Sequence, residues 1–297
     1  MDTASARGGE IPVFTVDAFA LSAFEGNPAA VCLVSDEQKK TLNFDENLMQ
    51  KIATEMNLSE TAFIFMVDGN SFLSGERFGL RWFTPKCEVP LCGHATLASA
   101  AIIFSVCKNA SENITFETLS GELMARQSGK GSITLDFPLN PPEPYDRDKV
   151  ESLVRAAVGE VTVKEVQYSP TTKKLLVRLD DSVTRQMLEN LNPDSSDLLS
   201  AHSGDSVRGV IVTVLGSEPY NFYSRYFAPW VGISEDPVTG SAHTVLAAYW
   251  CRVLGRQDLF ARQCSKRGGD LRLNLRSDGR VDIIGMVHIA LKGTFQL

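Results

Sequence analysis

The sequence lacks long apolar runs. The longest, Leu97 to Cys107, contains two serines and falls well short of the roughly 20 residues that a membrane-spanning helix needs. The first ten residues carry none of the apolar core that marks a secretory signal peptide. We therefore expect a cytoplasmic protein with no membrane partner.

Basic residues are also in short supply: Lys and Arg number 29 against 36 for Asp and Glu, which gives a net charge of −7. No basic run interrupts this excess of acid, and an acidic surface repels the phosphates of nucleic acids. The chain is 43% hydrophobic and 22% charged, which is enough apolar material for a folded core. We expect a globular protein with no nucleic-acid partner.

Short motifs for metals and disulfides are missing as well. None of the six cysteines forms a Cys-x-x-Cys pair, and none of the four histidines forms a His-x-x-x-His or His-Glu-x-x-His motif. Without an export signal, the cysteines are expected to be reduced thiols. We predict no metal ion.

The chain is long enough for two domains, and it contains a plausible boundary near its midpoint. Four prolines lie within residues 138–144, where they stop both helices and central strands. We predict an N-terminal lobe of residues 1–140 and a C-terminal lobe of residues 141–297, with the option that the last strand of the chain returns to the first lobe.

The two halves of the chain resemble one another. The first half contains Arg81-Trp82-Phe83-Thr84-Pro85, which corresponds to Arg225-Tyr226-Phe227-Ala228-Pro229 in the second half. Gly93 corresponds in the same way to Gly240. Four such landmarks recur at offsets of 144, 147, 148 and 148 residues. A nearly constant shift of half the chain predicts an internal duplication.

Each half combines strands with one strongly apolar helix. The pattern predicts an amphipathic helix over 46–56, capped by Asp45. The helices predicted over 94–104 and 241–250 are apolar on nearly all faces, so each must be buried. We predict an α+β fold of two pseudo-symmetric lobes, each a curled sheet or barrel around a central apolar helix.

The two buried helices each begin at a glycine, Gly93 in the first half and Gly240 in the second. A helix start offers unpaired N–H groups and a partial positive charge, and glycine lets a ligand approach the backbone. The same feature in both halves predicts a binding site for a small anion, in a cleft between the lobes.

Titratable residues surround these helix starts. Glu60 precedes an apolar strand, and partial desolvation is expected to raise its pKa and suit it to proton transfer. Cys92 is expected to have a lowered pKa at a helix start. For Glu60, His94 and Asp236 the alternatives are a surface carboxylate, a packing residue and a helix cap.

Several segments together resemble the phenazine-biosynthesis isomerase family, the PhzF-like proteins, which share the fold of diaminopimelate epimerase. The matching segments run through the chain in order: Asp17-Ala18-Phe19, Glu25-Gly26-Asn27-Pro28-Ala29-Ala30-Val31, Asn57-Leu58-Ser59-Glu60-Thr61, Phe83-Thr84-Pro85, Gly93-His94-Ala95 and Glu235-Asp236-Pro237-Val238-Thr239-Gly240-Ser241-Ala242.

The resemblance implies a homodimer that moves a proton on a small carboxylated, amino-bearing molecule without metal or organic cofactor. It implies catalytic roles for Glu60, His94 and Asp236, with Glu60 as the proton carrier. The substrate-binding residues expected with them are Asn27, Gly93, Gly240 and Ser241.

The sequence departs from the related epimerases and proline racemases, in which two cysteines flank the substrate carbon. Cys92 stands near the first position, but the second-lobe turn, Asp236 to Thr239, has no thiol. A two-thiol racemase is disfavoured, whereas Cys92 acting opposite Glu60 or Asp236 stays open. We predict a cofactor-independent isomerase that acts on a small anionic metabolite. The alternative is a non-catalytic module, on the same scaffold, that binds a protein partner or senses a metabolite.

Overall fold

A computed structural model describes residues 9–67 and 71–297 of the chain. Residues 1–8, on which the expectation of a missing signal peptide mostly rests, lie outside the described residues. The chain divides into two compact units: the described part of Met1–Asp136 together with Ile284–Leu297, and Phe137–Ile283. None of the described helices is both long enough and apolar enough to span a membrane.

The described chain contains strands β1 to β17 and helices α1 to α7. The strands are β1 Glu10–Ala18, β2 Asn27–Val34, β3 Glu60–Met66, β4 Arg77–Phe83, β5 Glu88–Val89, β6 Asn113–Thr118, β7 Gly121–Ser128, β8 Ser132–Pro138, β9 Glu143–Pro144, β10 Val163–Ser169, β11 Lys174–Leu179, β12 Gly209–Leu215, β13 Phe222–Phe227, β14 Asp258–Gln263, β15 Gly269–Leu275, β16 Arg280–Gly285 and β17 Val287–Gln296. The helices are α1 Asp36–Thr41, α2 Glu46–Met56, α3 Gly93–Ala101, α4 Glu151–Val158, α5 Arg185–Glu189, α6 Ser195–Ala201 and α7 Gly240–Leu254.

In the first unit the strands pair in the row β17-β1-β2-β3-β4-β6-β7-β8. The pairs β2–β3 and β4–β6 are parallel, and the others are antiparallel. Parallel neighbours need a crossover connection. Helices α1 and α2 occupy the first crossover and α3 the second.

The second unit pairs its strands in the row β9-β10-β11-β12-β13-β14-β15. From β10 to β15 the pairs are antiparallel, parallel, antiparallel, parallel and antiparallel, which is also the order from β1 to β7 once β5 is set aside. Helices α5 and α6 fill one crossover, and α7 fills the other. The predicted α+β class is confirmed.

The two central helices are buried as predicted, but their bounds differ from the prediction. In α3 every residue from His94 to Ala101 is buried, and Ile102–Val106 continues it as a wider turn closed by Cys107 N donating to Ile102 O over 3.0 Å. Helix α7 runs four residues past its predicted end to Leu254. The predicted cap of α2 is confirmed, because Asp45 Oδ1 accepts a hydrogen bond from Leu48 N over 2.9 Å.

Candidate active site

Glu60 is the first residue of β3 and is buried, with 8% of its surface exposed. The chain reaches it from α2 through Asn57, whose left-handed backbone ends that helix (φ 49°). Parallel pairing sets Glu60 beside Ala29 of β2. The alternative interpretation of Glu60 as a surface carboxylate is therefore wrong.

His94 lies at the centre of the buried polar groups of the first unit. Its Nε2 lies 3.2 Å from Glu60 Oε2 and 3.2 Å from Ser59 Oγ. Its Nδ1 lies 3.2 Å from Asn27 Nδ2 and 3.4 Å from Cys92 Sγ. The imidazole thus joins residues from β2, β3 and the start of α3, and the structure brings together Asn27, Glu60 and His94.

The pKa of Glu60 is lowered, so the predicted rise is wrong. Burial is the largest influence and raises the pKa, but it is outweighed by the charge of His94 together with hydrogen bonds from His94, Ser59 and Cys92. Glu60 is consequently a carboxylate at neutral pH, held against a cation.

The pKa values of the two neighbours are raised. Burial disfavours the charged form of His94, yet its contacts with Cys92 and with the Glu60 carboxylate together lift its pKa well above the usual value. The predicted lowering for Cys92 is wrong, because burial raises the pKa of its thiol and the charge of Glu60 raises it further. At neutral pH the site holds a carboxylate, an imidazolium and a neutral thiol.

Three of these side chains, Glu60, Cys92 and His94, each offer an atom that could bind a metal ion, and the three atoms lie within 4.8 Å of one another. His94, however, turns Nε2 to Glu60 and Nδ1 to Cys92. The side chains therefore surround the imidazole ring rather than one shared point, which suits a chain of proton donors and acceptors better than a coordination sphere.

Asp236 lies in the second unit, where it is 8% exposed. Its Oδ2 accepts a hydrogen bond from Thr239 Oγ1 over 2.5 Å. Gln263 fixes the turn from the other side, since its Nε2 donates to Asp236 O over 2.6 Å and its Oε1 accepts from Thr239 N over 2.9 Å. Thr239 is the residue before α7, and its side chain makes no cap hydrogen bond.

The other two predicted residues of the second unit, Gly240 and Ser241, open α7, with Gly240 buried and Ser241 exposed. Sequence reasoning missed Lys174, a buried lysine whose Nζ lies 5.6 Å from the centre of the Tyr226 ring. Burial lowers the pKa of Lys174 to about 8, although the nearby charge of Asp236 opposes this. The sequence pattern at the Lys173-Lys174 pair did not predict this contact.

Gly26 shapes the turn that delivers Asn27 to His94. Its backbone is left-handed (φ +71°), and a Cβ there would lie 2.2 Å from Ala18 O. We expect Gly26→Ala to lower the free energy of unfolding by about 2 kcal/mol or more, because a backbone oxygen cannot move aside. Denaturant titration measures the loss.

Gly121→Ala is the matched control for this substitution. Gly121 is also left-handed (φ +92°), but nothing lies within 4 Å of its added Cβ. We expect it to cost about 1 kcal/mol through backbone strain alone. Equal losses in the two variants would show that the contact with Ala18 does not matter.

Comparison with known proteins places these units in a family. The phenazine biosynthesis-like protein family matches residues 16–293. A phenazine biosynthesis-like domain-containing protein of Bos taurus is 53% identical, over 96% of this chain and 99% of its own length. An uncharacterized isomerase of Pseudomonas aeruginosa is 42% identical, over 97% of this chain and all of its own.

Solved structures agree with the sequence comparison. A crystal structure of a PhzF-family phenazine biosynthesis protein from Enterococcus faecalis has a TM-score of 0.84 and 38% identity, and covers 97% of this chain and 100% of its own. A hydroxyproline epimerase of Agrobacterium vitis, at 12% identity and a TM-score of 0.55 over 97% of this chain and 93% of its own, shares the fold alone. The predicted resemblance is confirmed: the chain belongs to the phenazine biosynthesis-like protein family.

Proposed function

We propose that this protein is a cofactor-independent isomerase that moves a proton between carbon atoms of a small carboxylated acid, with Glu60 as the proton carrier. The observation that carries the proposal is the buried contact of Glu60 with His94, 3.2 Å between Oε2 and Nε2. The isomerase names of bacterial relatives, one of them 42% identical over its whole length, support the reaction class.

The proposed step conserves charge and atoms. The ionised Glu60 takes a proton from a carbon beside the substrate carboxylate, so a C–H bond breaks and its electron pair stays on the substrate. Glu60 then returns the proton to a second carbon and is again ionised. His94 carries positive charge at neutral pH and stabilises the carboxylate before and after the transfer.

The first turn of α3 supplies a place for the substrate carboxylate. Cys92, which precedes this helix, has a thiol, a weak acceptor, in place of the oxygen of a usual cap, and it makes no side-chain cap hydrogen bond in the described chain. The amides of a first helical turn favour an anion. We propose that Gly93 binds the carboxylate in the first unit, that Gly240 and Ser241 are binding residues of the second unit, and that Asp236 is the catalytic carboxyl group of the second unit.

Deuterium exchange tests this function. A panel of small carboxylic and amino acids is first screened for those that raise the melting temperature, because a ligand of the folded state stabilises it. The acids that bind are then incubated with the protein in deuterated water. We expect deuterium at carbon, read by proton NMR. Binding without exchange across the panel would instead support the non-catalytic module.

The electrostatics of the site can be tested without a substrate. We expect His94→Gln to raise the pKa of Glu60, because burial then acts without the opposing imidazolium. Carbon-13 NMR titration of the Glu60 carboxyl group measures the shift. The exposed His288, changed to Gln, is the control. A Glu60 pKa still lowered in His94→Gln would show that His94 is not the source of the effect.

The cytoplasmic location, the homodimer and the internal duplication stay predictions, as does the cleft between the lobes. Cys92 lies 3.4 Å from His94 Nδ1 and is a neutral thiol. We propose that its sulfur accepts a hydrogen bond from the imidazolium at Nδ1 and that the thiol takes no part as a base.

A further inference from the structure

The repeated sequence motif that begins at Arg81 was identified above, but no role was predicted for it. Arg81 lies on β4 and donates two parallel hydrogen bonds to Glu88, from Nε to Oε1 and from Nη2 to Oε2, each 2.7 Å long. Its Nη2 also donates to Glu46 Oε1, at the start of α2, over 2.5 Å. Glu88 stands five residues before Gly93. This Arg81–Glu88 pair, the first fork, joins β4 to β5, the short strand that precedes the turn into α3.

Arg225 makes the corresponding contact in the second unit. It donates two hydrogen bonds to Glu235, from Nε to Oε1 over 2.6 Å and from Nη2 to Oε2 over 2.8 Å. Its Nη1 donates to three carbonyl groups at the end of α5, those of Leu188, Glu189 and Leu191. This Arg225–Glu235 pair, the second fork, ties β13 and α5 to the loop that carries Asp236.

The two forks agree in detail. Each arginine lies over the phenylalanine two residues further along its strand, 5.3 Å from the ring centre of Phe83 and 4.9 Å from that of Phe227. Each glutamate stands five residues before the glycine that opens the central helix. Arg225 keeps only 9% of its side chain exposed and Arg81 25%. Two unrelated surface ion pairs would not be expected to share these features, so their recurrence indicates a common role.

Bidentate geometry is what lets such a pair hold a loop in place. A single-point ammonium contact permits rotation, whereas two parallel N–H···O bonds fix both the distance and the plane of the carboxylate. The held segments are short, since only four residues separate Glu88 from Gly93 and four separate Glu235 from Gly240. Those residues include Cys92 in the first loop and Asp236 in the second.

We propose that Arg81 and Arg225 are positioning residues, each of which sets, through its glutamate, the loop that delivers the site residues of its own unit. The first fork sets Cys92 and His94, and the second sets Asp236. The inference deepens the proposed function and rests on it, because it assigns each arginine to the proposed site residues of its own unit. Neither arginine touches the substrate in this proposal.

The first fork is tested with Arg81→Lys, which keeps the charge but cannot make two parallel bonds. We expect iodoacetamide to alkylate Cys92 about tenfold faster or more, because the loop opens locally. We also expect the proton NMR titration of His94 to move to lower pH, as its distance to Glu60 is no longer fixed. Peptide mass spectrometry resolves Cys92 from the exposed Cys87.

Arg77→Lys is the matched control, because Arg77 lies on the same strand and binds Glu117 and Glu122 at the surface. We expect it to leave both measurements within about twofold of wild type. Glu88→Gln is the milder second variant should Arg81→Lys fold poorly, and it should move both measurements in the same direction. Arg81→Lys and Glu88→Gln behaving like wild type, or Arg77→Lys moving both measurements equally, would overturn the first assignment.

The second fork is tested by hydrogen exchange in Arg225→Lys and Glu235→Gln. In the wild type the amide of Asp236 donates to Tyr226 O over 3.0 Å, and that of Thr239 donates to Gln263. We expect both amides to exchange about tenfold faster in either variant. The control is Arg147→Lys, which disrupts a surface fork with Glu151. Unchanged exchange of Asp236 and Thr239 in both variants would overturn the second assignment.

Activity separates this inference from the proposed function. With an acid that the wild type isomerises, we expect Arg81→Lys to lower kcat about tenfold while KM stays within about twofold, as for lost positioning of the reacting groups. If the wild type exchanges no acid, the proposed function fails, but alkylation and amide exchange still decide the role of the forks. If those two measurements do not change while the wild type exchanges, only the forks fail.

Discussion

We expect Glu60→Gln to lower kcat for the proposed carbon–hydrogen exchange by about 10²- to 10⁴-fold, the range typical of removing a positioned general base. Glutamine matches glutamate in size and cannot accept a proton from carbon, so the loss measures the chemistry rather than the packing. The carboxylate is buried at the start of β3 and faces His94. Bulk water therefore cannot replace it as the proton acceptor. Proton NMR in deuterated water gives the rate.

The control for this prediction is Glu55→Gln, an exposed glutamate on α2 five residues earlier, which should leave the rate unchanged. A second measurement checks that the substitution has removed the charge beside His94. We expect the pKa of His94 to fall when the charge of Glu60 is removed. Equal exchange by Glu60→Gln and wild type would discard Glu60 as the proton carrier.

His243 makes the folded state sensitive to acid. It is fully buried on α7, and its Nδ1 donates to Thr239 O over 2.7 Å. Its Nε2 has no hydrogen-bond partner among the residues that the structure describes. Burial lowers the pKa of His243 to about 4, and the bond to Thr239 only partly opposes this. The neutral ring therefore belongs to the folded state.

This lowered pKa gives the pH dependence a definite sign. The unfolded chain binds a proton at His243 near pH 6.5 and the folded chain only near pH 4, so acid favours unfolding. The stability due to the neutral ring is complete above pH 6.5 and is lost as the pH falls to 4. We expect the free energy of unfolding to drop by about 3 kcal/mol over that window.

His243→Asn isolates this contribution. Asparagine can still donate to Thr239 O but does not titrate, so its stability between pH 6.5 and 4 should fall less steeply than that of the wild type. His288→Asn removes an exposed histidine and should reproduce the wild-type slope. Denaturant titrations at each pH measure the slopes. Identical slopes for wild type and His243→Asn would show that His243 is not the titrating group.

The elements of the fold were largely predictable because their causes are local. Asp45 caps α2 through Leu48, three residues away, and the all-apolar segments at Gly93 and Gly240 had to be buried helices. The bounds were less predictable. The wider turn after α3 depends on a hydrogen bond between Cys107 and Ile102, which no sequence pattern specifies.

The site was predictable in its residues but not in its electrostatics. Desolvation of Glu60 could be inferred from its apolar neighbours, and it does act, but the position of His94 decides the direction of the pKa. Asn27 meets His94 across 67 residues of chain, through a strand and a helix start that only the folded sheet brings together. Long-range charge pairs of this kind need tertiary contacts.

The two arginine–glutamate forks were predictable from the sequence only in part. Arg81 and Arg225 stood out in the sequence as repeated landmarks, yet their partners did not. Glu88 lies near a turn and Glu235 before a proline-containing loop, in contexts where an exposed carboxylate is the ordinary expectation. Only the folded chain brings these side chains beside their arginines.

The last described strand has a consequence for synthesis on the ribosome. Strand β17 pairs along the whole of β1, whereas the second unit is built from one continuous stretch, Phe137–Ile283. The nascent chain therefore leaves this edge of β1 unpaired until β17 has been synthesised, which happens after the whole of the second unit. The unit that starts first is completed last, and in the interval its open edge is a target for chaperones and for mispairing.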